Sequence, residues 1–70
     1  SDALRRDTQD SRLQYAVGLI HYKLGDYTEA RRYVTMAIDT AGLKGDLRRS
    51  ELEGYQLQLE AIVKEQLAGL

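Results

Sequence analysis

One histidine, His21, no cysteine and eleven carboxylates are the residues from which this 70-residue chain could build reactive chemistry. Without Cys there is no thiolate nucleophile, no disulfide and no sulfur ligand for a metal. A lone imidazole leaves a metal centre short of ligands, so His21 is expected to be a partly buried, hydrogen-bonded side chain. Glu51, Glu53, Glu60 and Glu65 read as a helix surface with no His or nucleophile beside them. No Gly-rich phosphate loop and no nucleophile–base pair can be picked out, so the expectation is a protein without catalysis, metal or cofactor. Contact chemistry remains: five tyrosines, and the basic pairs Arg5-Arg6, Arg31-Arg32 and Arg48-Arg49. A basic strip touching acidic lipid or a partner's carboxylates is one reading of those pairs. The other, favoured here, is solvated charge balanced by Asp7, Glu29 and Asp46, each exposed pair contributing about 0–1 kcal/mol.

The totals narrow the partner class. Ten basic against eleven acidic residues leave a net charge of −1, which offers no long-range field to a phosphate backbone, and no nucleic-acid partner is expected. No run approaches the roughly 20 apolar residues that span a bilayer, and no signal peptide is recognisable at the N-terminus. The segment itself is therefore not expected to touch a membrane, and the absence of Cys fits a cytoplasmic location. A chain of this length buries only about 60% of the surface it exposes unfolded, so a protein partner, a missing segment or a homodimer is expected to complete it. Ser1 is not an initiator and Leu70 is apolar, which suggests a piece of a longer protein.

The elements that would position these residues are helices, because Pro is absent and Val and Ile are too scattered for period-2 strands. Residues 1–10 read as a partly helical N-terminal extension. Ser11 with Gln14 fits a capping box, after which Leu13 to Leu24 is apolar on most of a helix circumference and must be contacted on more than one side. Gly25 then supplies a left-handed helix end, and Asp26 with Glu29 a second capping box. Ala30, Val34, Ala37 and Ile38 form one stripe with Tyr33 beside it. Gly42 and Gly45 predict a break over residues 41–46, and a third helix starting at Asp46 or at Ser50. Its stripe is Leu52, Tyr55, Leu59, Ile62 and Val63, leaving Leu57 exposed. The expected architecture is all-α, a helical hairpin over 11–44 and a capping helix over 45–70, which either packs on the hairpin or swaps into a second copy through the 42–46 linker.

Val17-Gly18, Gly25-Asp26-Tyr27, Ala30 and Ala37-Ile38 resemble the tetratricopeptide repeat, a 34-residue helix-turn-helix, over Ser11 to Lys44. Gln14, His21, Val34 and Gly42 depart from that pattern. Within it, Tyr22 to Val34 is similar to the second repeat of the tail-anchored mitochondrial fission adaptor family. That resemblance implies a protein-interaction adaptor or scaffold at the mitochondrial or peroxisomal outer surface, in a longer product carrying a first repeat and a membrane tail. It also implies that the first helix lines a concave face, on which Arg12, Tyr15, Leu19, Tyr22 and Lys23 are the candidate contacts for a protein or peptide, with Ala16 among them. Only Lys23 would serve a carboxylate clamp. Packing against the third helix or against a missing neighbour is the competing role for Tyr15, Leu19 and Tyr22. Under the adaptor reading Leu19→Glu or Tyr22→Glu abolishes binding with helicity intact; loss of helicity would mark core. A structural, self-assembling module with no external ligand is the alternative function.

Overall fold

The computed structural model describes residues 10–69. They form three helices and no strand: α1 (Ser11–Lys23), α2 (Tyr27–Lys44) and α3 (Arg49–Ala68), packed as consecutive hairpins. The N-terminal extension expected over residues 1–10 lies outside the described residues except for Asp10. So do Arg5, Arg6 and Asp7 of the expected charge balance.

Helix starts are set by local hydrogen bonding, and two of them differ from expectation. Asp10, not Ser11, caps α1: its Oδ1 accepts from the Arg12 N–H at 2.9 Å. Ser11 and Gln14 are instead inside the helix and buried. Asp26 does cap α2, accepting from the Glu29 N–H at 3.3 Å. The reciprocal half of that box is replaced, since the Asp26 N–H donates to the His21 carbonyl at 2.9 Å. Together with Gly25 N–H to the Tyr22 carbonyl at 3.1 Å and Gly25 at φ 82°, this bond completes a Schellman end for α1. One residue, Asp26, thus closes the first helix and opens the second.

Gly42 does not break α2, which runs on to Lys44 and ends at Gly45, φ 64°. A helical Gly costs about 0.5–1 kcal/mol against Ala, too little to stop a helix already held by Ala37 and Ala41 in the core. Helix α3 starts at neither Asp46 nor Ser50. Its first residue is Arg49, and Glu51 Oε1 accepts from the Arg48 N–H at 3.4 Å. Asp46 is free of capping duty and accepts from the Ser11 hydroxyl at 3.1 and 3.2 Å, tying the α2–α3 linker to the start of α1.

Helix α2 is central, packed against α1 on one side and α3 on the other. Its stripe is buried as the spacing predicts, with Ala30, Val34 and Ala37 at 0% exposure and Ala41 beside them. Gly18 of α1 lies against this stripe: a Cβ there would come 2.8 Å from Val34 Cγ2 and 3.2 Å from the Ala30 carbonyl oxygen. From α3, Ile62 and Tyr55 are buried, and Leu59 is half-buried against the same cluster. Leu57 stays 65% exposed, as its position off the stripe requires. Much of the core is alanine, so Val34, Ile62 and Tyr55 supply most of its apolar bulk.

Candidate protein-contact face

Five side chains on α1 were the expected contact face, and α3 covers part of it. Tyr15 is half-buried and stacks face to face on Tyr55, ring centroids 3.7 Å apart and planes 8° from parallel. Arg12 is exposed and its Nη2 lies 3.4 Å from Glu51 Oε2 of α3. Tyr22 is half-buried, tilted against Tyr27 at 5.8 Å, and hydrogen-bonded to Glu65 of α3. Leu19 is half-buried. Lys23 and Ala16 stay exposed. The first helix thus meets the third through long side chains, while its backbone approaches α2 at Gly18. Tyr15 thus meets the third helix through Tyr55, and Tyr22 lies between Tyr27 of α2 and Glu65 of α3.

These contacts perturb the tyrosines. Burial raises Tyr15 above the ordinary phenol value. For Tyr22 the hydrogen bond to Glu65 is the largest cause of a raised value, with burial and the Glu65 charge adding to it. Burial again leads for Tyr55, with the Glu51 charge raising it further and Arg12 opposing. In each case the neutral phenol is the form that the fold favours.

A different face of α1 is open. Leu13 is 41% exposed, Ile20 57% and Leu24 76%, with Val17 half-buried between them. Their spacings of four, three and four residues form the seam of a helix that packs against another helix at a 3.5-residue repeat. Ser11, Gln14 and Gly18 are buried, Gly18 against α2, and Tyr15 turns to α3, so helical spacing puts this seam on the opposite side of α1. Composition alone showed that α1 is apolar nearly all round. Four-three-four spacing was legible in the sequence too, but only the fold tells which of the apolar faces is unpartnered.

His21 is half-buried, stacked on Tyr33 at 5.6 Å, with Nδ1 3.4 Å from Asp26 Oδ2 across the Schellman turn. Arg32 pairs with Glu29 at 3.7 Å and Arg49 with Glu53 at 3.6 Å, both largely solvated. Among the described residues no three His, Asp or Glu side chains converge in a way that could hold a metal ion. No helix of the described residues is long and apolar enough to cross a membrane.

Comparison of the chain with protein-family models, with curated proteins and with solved structures finds no match. The described residues define an all-α helical hairpin with a third helix folded on it, with Leu13, Ile20 and Leu24 exposed on α1.

Proposed function

We propose that this chain is a non-catalytic protein-interaction module whose α1 seam, Leu13, Val17, Ile20 and Leu24, docks an amphipathic helix of a protein partner. The exposure of three large aliphatic side chains at coiled-coil spacing carries this reading. Four positions are far from the roughly 20–30 residues a side of a standard interface, which favours a transient adaptor contact over a stable homodimer. Arg12 and Lys23 flank the seam and serve as rim contacts, whereas Tyr15 and Tyr22 support α1 from behind. The tetratricopeptide resemblance of residues 11–44 supports an adaptor role. Placement at the mitochondrial or peroxisomal outer surface rests on the shorter resemblance of Tyr22 to Val34, and a diffuse signal on imaging the protein with its native flanks would remove it.

The test is an amide-shift titration with a synthetic amphipathic helix bearing leucines at a 3.5-residue repeat. Shifts centred on Leu13 to Leu24, lost in Ile20→Glu while circular dichroism is unchanged, are the expected result. Equal binding by Ile20→Glu would overturn it. Sedimentation separates the alternative: mass that rises with concentration and collapses to monomer in Ile20→Glu would make the seam a self-assembly face.

A further inference from the structure

Between the N-terminal half of α2 and the end of α3 is an open cavity of about 300 Å³, lined by Thr28, Arg31, Arg32, Thr35 and Gln66. The first four are spaced i, i+3, i+4 and i+7, which places them on one side of a helix. All five bring hydrogen-bond donors: two guanidinium groups, two hydroxyls and an amide. No carboxylate lines the cavity. Gln66 Nε2 donates to Thr28 Oγ1 at 3.1 Å, which fixes α3 against the rim and leaves the Thr28 hydroxyl hydrogen to donate elsewhere. Arg32 is partly neutralised by Glu29 at 3.7 Å, but Arg31 makes no ion pair among the described residues.

We infer that this cavity is a phosphate site, taking a phosphate dianion either free or carried on a phosphorylated side chain. A protein of net charge −1 does not attract anions by its overall field, so any attraction here is local to the two arginines. Phosphate suits the lining better than a carboxylate does. It carries about −1.5 to −2 charges and three acceptor oxygens, enough to engage both guanidinium groups and still reach the hydroxyls. A carboxylate, with one charge and two oxygens, leaves donors unused. Arg31 supplies the planar fork for two phosphate oxygens, and Thr28, Thr35 and Gln66 orient the third. The site is independent of the α1 seam and does not require the helix-docking function.

Amide shifts of the folded chain are followed during titration with sodium phosphate, against sodium chloride at equal ionic strength. A second titration uses a phosphoserine peptide and its unphosphorylated twin. Saturable shifts at residues 28–35 and at Gln66 are expected with phosphate and not with chloride. Arg31→Gln, at an exposed position, is expected to weaken binding about tenfold with unchanged circular dichroism, the size of one charge-assisted contact. Arg49→Gln, at the opposite end of α3 from Gln66, leaves it unaltered. Equal affinity for free phosphate and phosphopeptide identifies a small-anion site; tighter binding of the phosphopeptide, with none by its twin, identifies a reader of phosphorylated side chains. Absence of saturation, equal shifts in chloride, or undiminished binding by Arg31→Gln overturns the proposal.

Discussion

Gly18 marks the closest approach of α1 to α2, and it is the residue at which a single methyl group has the clearest consequence. A Cβ would press on the buried Val34 side chain at 2.8 Å and on α2 backbone at 3.2 Å. Ala gains up to about 1 kcal/mol of helix propensity over Gly, but overpacking a filled core costs about 1–3 kcal/mol, and the obstacle here includes backbone that cannot rotate away. Gly18→Ala is therefore expected to lower stability by about 1–2 kcal/mol in urea unfolding. Gly54 is the internal control, since it lies within α3 with nothing within 4 Å of its would-be Cβ. Gly54→Ala should raise stability by about 0.5–1 kcal/mol. The same substitution thus changes sign between two helical glycines. Nothing in the chain's local composition separates the first of these from the second; the close approach of α2 to Gly18 is a feature of the fold.

At the scale of elements, α1 and α3 are held by the Tyr15–Tyr55 stack, the Tyr22–Glu65 hydrogen bond and the Arg12–Glu51 pair. The stack contributes about 0.5–1.5 kcal/mol beyond its buried area, and the exposed ion pair little. All three tyrosines have raised pKa values, so their folded state prefers the neutral phenol. A raised folded value means a contribution fully present below the unfolded pKa of about 10 and lost as pH climbs through the folded values. Thermal unfolding midpoints should therefore fall above pH of about 10. Tyr55→Phe keeps the stacked ring and removes one titrating group, so it should flatten part of that fall; an unchanged slope would show that Tyr55 does not contribute. The capping errors also belong to this scale. A Ser-x-x-Gln pattern is a sound local signal, but Asp10 was one residue away with a better acceptor, and Ser11 had a partner 35 residues on in Asp46. Local pattern rules cannot weigh a bond whose second half is brought in by the fold.

For the molecule as a whole, the limiting quantity is core volume. Among the described residues three of the six buried apolar side chains are alanines, which make close helix packing possible and bury little area each. Domains of this size are stable by only about 0.05–0.15 kcal/mol per residue, a margin of a few kcal/mol. Ile62 is fully buried against Ala30 and Val34, and truncating it to Ala costs about 2–5 kcal/mol. Ile62→Ala should therefore leave the chain largely unfolded at 37 °C by circular dichroism. Ile62→Val, losing about 1 kcal/mol, should fold with a lower midpoint. By contrast Ile20→Glu, at a 57% exposed position, should barely move the midpoint, which is what makes it a clean probe of the seam.

What the amino-acid sequence determined by itself is the helical hairpin: apolar spacing, the left-handed Gly25 and the Asp26 cap are short-range features whose physics lies within a few residues of each other. The stripes of α2 and α3 belong to the same class, because helical periodicity dictates which side chains share a face. Partner choice for α1 was decided only in three dimensions. Its apolar residues go nearly all round, so sequence could not say that Tyr15 and Tyr22 would turn to α3 while Leu13, Ile20 and Leu24 stayed open. Burial depends on which neighbour arrives, and that neighbour, α3, lies some 40 residues along the chain from Tyr15 to Tyr55.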